Sequence, residues 1–462
     1  MDNRENFGSK LGAILAAAGS AVGLGNVWRF PIETGQNGGA AFIIIYIFCI
    51  LLLGLPIMMS EFLIGRHTHA NTARAYQMLS PGTQWKWVGR LGVFSGTFIL
   101  CYYCVIGGWT LHYTYLSAAD AFSGVAPDKY GDIFTGFVAN PWVPVAWLVL
   151  FMAVVHVVIV RGIRKGIEKY SKILMPTLFI LVVVLVIGAV CLPGASKGIE
   201  FLLMPDFSKV DGSVVLSAMG QAFFSLSLAM GCLCTYASYF NKKTNLARTA
   251  LNVCAIDTLV AIMAGFIIFP SVFNIGMDAD NLQAGASLIF ISLPNVFQKA
   301  FGQLPFVAII FSVLFYFLIF IAALTSAISL HEVATAFCTE ELHVKRRTAA
   351  LIVTLVCTSL GVVCSLSFGP LSSATLFGMS IFDFFDYISG NIFLPVGGML
   401  ISIFAGWCLD RKIIDEEIGS GSRLSARLLP LVIFLLRFVA PIGIGLVLLN
   451  QLGLFSLIGL GE

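Results

Sequence analysis

Charge is what this sequence has least of. Of 462 residues only 11% are Asp, Glu, Lys or Arg, while 58% are hydrophobic and the mean hydropathy is +0.93. Soluble domains carry about a quarter charged residues, so this chain cannot clothe itself in a water-facing surface and reads as an integral membrane protein. The formal net charge of +3 is too small to attract nucleic acid, and the acids and bases lie mostly between apolar runs. Metal-ligand spacing is missing too. The eleven cysteines scatter through apolar runs, and even Cys101 and Cys104, spaced Cys-x-x-Cys, fall inside a span, so they read as small core residues rather than a redox pair. There is no Ser/His pairing and no His-Glu-x-x-His run. His67, His69, His112, His156, His331 and His343 lie mostly at span ends or alone, which leaves a membrane enzyme without a constellation. The polar start, residues 1–10, lacks a cleavable signal pattern, so the first apolar segment stays as a span. No low-complexity linker or soluble domain interrupts the apolar pattern.

What is present is a series of apolar runs, each about 20 residues long, the length that crosses a bilayer. They fall near 11–32, 40–65, 91–118, 142–160, 173–192, 213–240, 250–275, 305–336, 348–368, 376–408 and 428–449, eleven in all. An odd count puts the termini on opposite sides. Nearly all lysines and arginines outside the spans fall on the N-terminal side, against only Lys129, Lys197, Lys209 and Lys299 on the other. By the positive-inside rule, 1–10 is cytoplasmic and the tail 450–462, too short in its apolar part to cross, is extracytoplasmic. The outer loop 276–304 contains an apolar stretch, 284–294, that reads as a re-entrant or lid segment.

Two spans are interrupted where lipid would forbid it. In the first, Gly19, Gly23 and Gly25 each weaken the helix by roughly 1 kcal/mol, and Asn26 and Arg29 add polar groups. Helix-free backbone is tolerated in a membrane only where it is buried in protein or lines a cavity, so the freed carbonyls are candidate cation ligands. The sixth span carries a second interruption, Ser225-Leu-Ser-Leu-Ala-Met-Gly231. The second lies five spans after the first, an odd offset, so the halves 11–192 and 213–408 run in opposite orientations. Such paired interruptions mark the midplane site of a secondary transporter.

The blocks Ala18-Gly-Ser-Ala-Val-Gly-Leu-Gly-Asn-Val-Trp-Arg-Phe-Pro31, Asn37-Gly-Gly39, Gly54-Leu-Pro56 and Glu61-Phe-Leu-Ile-Gly-Arg66 resemble the neurotransmitter:sodium symporter family, sodium-coupled carriers of amino acids and related solutes. Gly220-Gln-Ala-Phe-Phe-Ser-Leu-Ser227, Thr235-Tyr-Ala-Ser-Tyr239 and Leu324-Thr-Ser326 resemble its later motifs. The resemblance runs from about Arg4 to Trp407 and is similar to the eleven-span bacterial members. It implies an all-α membrane fold in which five-helix repeats, 11–192 and 213–408, are inverted, helices 1 and 6 are unwound, and 428–449 is an additional helix.

The same resemblance implies two sodium sites. One uses the carbonyls of Gly19, Val22 and Ala322 with the hydroxyls of Thr325 and Ser326. The other uses Ala21, Asn26, Ser225 and a ligand from span 7, completed by the substrate carboxylate. At that ligand position stands Asp257, where the family usually has asparagine. Chloride-dependent relatives bind an anion around positions matching Tyr46, Gln221, Ser225 and Ala261, and Ala261 offers neither hydroxyl nor acid. Asp257 is therefore expected to supply the negative charge, making transport chloride-independent, or to take up a proton on the return step.

For the substrate, the resemblance assigns Leu24, Gly25 and the Tyr103 hydroxyl to a carboxylate, and Ser20, Ala21, Phe224, Ser225 and Ser326 to an amino group. Gly23 stands where monoamine carriers have aspartate. Ile99, Phe224, Ser227, Met230 and Leu330 meet the side chain, and Ala229, in place of a common glycine, is expected to narrow the pocket floor. The outer gate implied is Arg29 facing Asp386 over Tyr103 and Phe224; the inner one is Arg4 pairing Glu340 near Tyr239, with Phe7 in place of tryptophan. Gly166 and Pro176, nine residues between them, match a motif for unwinding span 5, or form an ordinary entry turn and kink. Glu61 is expected to accept hydrogen bonds from both breaks. The expected function is sodium-coupled import of a neutral hydrophobic L-amino acid by alternating access in the cell membrane. A proton-coupled carrier of the same fold and an amino acid sensor without turnover are the rivals. Which amino acid, how many sodium ions and what oligomeric state are not legible.

Overall fold

The computed structural model describes residues 5–276, 286–301, 304–419 and 423–454. The chain is mostly helical. In chain order the principal helices are α1 (Lys10–Ala21), α2 (Gly25–Gln36), α3 (Ala40–Thr68), α4 (Lys86–Ala118), α5 (Val143–Val160), α6 (Ile163–Val190), α7 (Gly212–Ser225) and α8 (Cys232–Ala237). They continue as α9 (Leu246–Asn274), α10 (Leu288–Phe301), α11 (Pro305–Glu340), α12 (Arg346–Leu366), α13 (Ile381–Cys408) and α14 (Arg427–Gln451). Among the described residues nine of these are long and apolar enough to cross a membrane, and α1 with α2, bent by 52°, offers a tenth crossing.

The long helices divide into inner and outer ones. In α4, 78% of the apolar window is buried against other helices, compared with 33% in α6. The apolar residues that α6 leaves outside, such as Ile173, Ile180 and Ile187, are what a helix facing acyl chains should show. At the centre α11 packs along α4, and α1 packs on both α9 and α11. The broken helices are thus sheathed by the unbroken ones.

Several boundaries differ from the sequence reading. Helix α4 starts at Lys86 and α6 at Ile163, earlier than the apolar runs, because long basic side chains let a helix extend into the interface. The stretch 376–380 is not helical. Thr375–Leu376 pairs with Met379–Ser380 in a hairpin whose turn residues, Phe377 and Gly378, both have positive φ. The outer stretch expected at 284–294 falls partly on α10, which is too short to cross and buries Phe290 and Phe297 against aromatic residues of α4 and α11; 284 and 285 lie outside the described residues.

Candidate functional site

The breaks follow from local chemistry. Helix α1 ends at Ala21, after which Val22 turns extended (ψ 107°) and α2 restarts as a π-helical turn over Gly25–Arg29. Between α7 and α8 the chain passes through left-handed backbone at Ser227, Ala229 and Gly231. Ser227 bridges the two breaks, its hydroxyl donating to the Ser20 carbonyl at 2.9 Å.

An oxygen cluster forms where α1 meets α11. Ser326 Oγ lies 3.1 Å from the Val22 carbonyl oxygen, 3.2 Å from that of Ser20 and 3.5 Å from that of Gly19. The Thr325 hydroxyl donates to the Ala322 carbonyl at 3.0 Å, and a Cβ built on Gly19 would come within 3.3 Å of Thr325 Cβ. Gly19, Val22, Ala322, Thr325 and Ser326 are therefore neighbours. Their neutral oxygens are hard ligands, suited to a hard cation. Among the described residues no group of three His, Cys, Asp or Glu gathers in a way that would hold a metal.

The second cluster is centred on Asp257, which is fully buried. Asn26 Nδ2 donates to Asp257 Oδ1 at 2.7 Å and to its carbonyl at 3.0 Å. Ser225 Oγ donates to Oδ2 at 2.8 Å and the Tyr46 hydroxyl to the same oxygen at 3.4 Å. Asn26 Oδ1 in turn accepts the Gly23 N–H at 2.9 Å, which orients its amide. These donors are all neutral, so a charge on Asp257 is solvated but not cancelled. A carboxylate in such a place costs several kcal/mol unless a cation or proton accompanies it. Nearby, Gln221 donates to the Gly25 carbonyl at 3.3 Å while its own Oε1 has no partner.

Between the clusters lies a narrow cavity. Ser20, Ala21, Gly23, Leu24, Gly25, Ile99, Tyr103, Phe224, Ser225, Ser227, Met230, Ser326 and Leu330 all line it, and Ser329 joins them. Ser329 accepts from the Ser20 hydroxyl at 2.9 Å; its place, one turn from Ser326 on α11, is readable from helical periodicity. The Tyr103 hydroxyl already receives the Leu24 N–H at 3.2 Å. A Cβ at Gly23 would stand 2.5 Å from Ser326 Oγ and 3.0 Å from the Tyr103 hydroxyl. Ala229 does not line this cavity. Its methyl faces Gly397 of α13, where a Cβ would come within 3.1 Å, so it does not narrow the floor as expected.

The gates depart further from expectation. Arg29 pairs with Glu33, four residues on, at 3.4 Å and lies over the Phe224 ring at 5.1 Å. Asp386 is in electrostatic range but does not form the ion pair. The i,i+4 partner wins because it shares the helix, and Glu33 is fixed by hydrogen bonds from Asn37 and the Ser217 hydroxyl. On the inner side, Arg4 lies outside the described residues. Glu340 accepts from the Asn71 backbone and side chain at 2.7 and 3.0 Å. Tyr239 donates to Glu332 at 2.7 Å, and Arg346 grips both Glu332 oxygens at 2.8 and 2.6 Å. Sequence reasoning misses Glu332, although a carboxylate inside a long apolar helix is a signal in itself. Phe7 is buried edge-on against Tyr236 and Tyr239. Glu61 accepts the Ala229 N–H of the α7–α8 break at 2.7 Å. Gly166 permits close packing on the end of α5, where a Cβ would overlap the Val158 carbonyl, and α6 runs helical through Pro176.

A bent and a broken helix around a cavity flanked by oxygen clusters define a secondary transporter. The sequence matches the sodium:neurotransmitter symporter family over residues 4–124 and 140–459, and the chain belongs to that family. It is similar to the uncharacterized sodium-dependent transporter YhdH of Bacillus subtilis, 38% identical over 97% of this chain and 98% of that protein. An uncharacterized sodium-dependent transporter of Haemophilus influenzae is 35% identical over 89% and 91%. The crystal structure of MhsT in complex with L-phenylalanine matches with a TM-score of 0.86 and 41% identity, covering 97% of this chain and all of that one.

Proposed function

We propose that the protein is a sodium-coupled importer of a neutral, hydrophobic L-amino acid that works by alternating access and without chloride. The observation that carries this is the meeting of all thirteen expected substrate residues in one cavity between the two breaks. The helix-start backbone at Leu24 and Gly25, together with the Tyr103 hydroxyl that the Leu24 N–H meets, suits a carboxylate. Ser20, Ala21, Ser225 and Ser326 offer oxygens to an amino group, and Ile99, Phe224, Met230 and Leu330 suit an apolar side chain. The similar MhsT structure, solved with L-phenylalanine, supports that class of substrate.

Two sodium sites are proposed, one from Gly19, Val22, Ala322, Thr325 and Ser326, the other from Ala21, Asn26, Ser225 and Asp257. Counting α1 with α2 and α7 with α8 as single discontinuous spans makes eleven crossings. The repeats are 11–192 and 213–408, inverted, with 428–449 as an added helix, 1–10 in the cytoplasm and 450–462 outside the cell membrane. Purified protein in liposomes should accumulate labelled L-phenylalanine only under an inward sodium gradient. Equal uptake with choline on both sides contradicts symport, and binding without accumulation would make the protein a sensor. The buried carboxylate of Asp257 favours one second reading, a proton-coupled carrier, which requires accumulation under a pH gradient without sodium.

A further inference from the structure

The cytoplasmic starts of α1 and α6 cap each other. Glu168, at the end of the π-helical turn that opens α6, reaches back to the start of α1. Its Oε2 accepts the Gly8 N–H at 2.6 Å and its Oε1 the Ser9 hydroxyl at 2.9 Å. Ser9 is the N-cap of α1 and accepts the Gly12 N–H at 3.0 Å. In return Glu5, on the segment before α1, accepts the Ile163 N–H at 2.8 Å, and Arg164 donates to the Asn6 carbonyl at 2.8 Å. The first amide of α6 is thus capped by a carboxylate from the segment before α1, while Glu168 fixes Gly8 and the capping hydroxyl of Ser9 ahead of α1.

The Glu168 side chain is built into this position. The residue is 3% exposed, Lys172 holds Oε1 at 2.6 Å, and a Cβ at Gly12 would fall 2.6 Å from its carboxyl carbon. Helix α1 is short, about 18 Å from end to end, and its far end carries the Gly19 and Val22 carbonyls. A displacement of its start is therefore passed to the oxygens that meet Thr325 and Ser326. We propose that Glu168 is a positioning residue: with Glu5 it clamps α1 to α6 and sets the register of the first sodium site, and the clamp parts when the inner path opens. The clamp adjoins the Glu332–Arg346–Tyr239 group, since Glu5 is in electrostatic range of Arg346 and the Phe7 N–H donates to the Tyr239 carbonyl at 3.0 Å, and its link to sodium rests on the function proposed above.

Hydrogen exchange of the full-length protein in lipid nanodiscs, without substrate, tests the clamp. In Glu168→Ala, residues 5–16 and 163–172 should both exchange severalfold faster than in the wild type while 346–366 is unchanged. Glu168→Gln, which keeps an acceptor oxygen, should fall between. Loosening of 163–172 alone, or of neither segment, overturns the clamp. Should the Glu168 variants not reach the membrane, Glu5→Gln removes the reverse cap and should loosen the same pair of segments. Sodium titrations of L-phenylalanine uptake then test the register. The sodium concentration for half-maximal uptake should rise at least threefold in Glu168→Gln, with the rate at saturating sodium reduced less than twofold; an unchanged sodium dependence contradicts it. A wild type indifferent to sodium would overturn the symport reading, whereas the exchange comparison would still decide the clamp.

Discussion

The break between α1 and α2 and the break between α7 and α8 solve one problem with different residues. The first uses Gly19, Gly23 and Gly25, and it presents mainly backbone to the cavity, its tightest point being Gly23 beside Ser326 and Tyr103. The second bends through positive φ at two residues that carry side chains, Ser227 (52°) and Ala229 (62°), before Gly231 (73°). Left-handed backbone costs an L-residue roughly 1–2 kcal/mol, and Ser227 recovers part of that through its bond to Ser20. On the proposed function, the first break would meet what amino acids share, the carboxylate and amine, and the second would place Phe224, Ser227 and Met230 against what distinguishes them.

Substitutions can break or sharpen that contrast. The largest effect is expected at Asp257, which ties the two breaks through Asn26 and Ser225. Asp257→Ala strands those neutral donors in the protein interior, at about 1–3 kcal/mol for each unsatisfied group, and removes the carboxylate proposed to meet sodium, so uptake should fall below detection. Asp257→Asn should retain a chloride-stimulated remnant. Next is Gly23→Ala, whose methyl would stand 2.5 Å from the Ser326 hydroxyl and 3.0 Å from that of Tyr103 and so displace two hydroxyls that line the cavity. Affinity for L-phenylalanine should drop at least tenfold by equilibrium binding, with a thermal midpoint near the wild type. Smaller again, Ser227→Ala removes one buried bond worth about 1 kcal/mol, a fewfold loss of affinity. The smallest effect belongs to Ala229→Gly, which relieves left-handed strain away from the cavity. It should raise the unfolding midpoint by a degree or two and leave the ranking of amino acid substrates unaltered; a changed ranking would put Ala229 back in the pocket.

The two breaks also differ in how far the sequence discloses them. Glycines in an apolar helix announce a break on their own, so the residues of α1 and α2 fall around the cavity as expected. In the second break Ala229 misleads, because the direction of one methyl depends on left-handed backbone that no pattern of residue types encodes. The gates are the least legible part. Arg29 has two acids within reach of its side chain, and choosing Glu33 over Asp386 requires knowing that Ser217 and Asn37 fix Glu33. Glu332 lies in plain view as an acid within an apolar helix, and Glu168 as the one acid in a basic segment ahead of an apolar run. Their partners, Arg346 and the amides of the N-terminal segment, come from more than ten residues away in sequence and meet them only through the fold.

The proposed function rests on Asp257 supplying beside sodium the negative charge that chloride would otherwise provide. Equilibrium binding of L-phenylalanine to the purified protein, titrated with sodium once as chloride and once as gluconate, tests this most directly. The dissociation constant should fall with rising sodium along the same curve in both salts. A curve that flattens in gluconate, or a constant that ignores sodium in both, would contradict it.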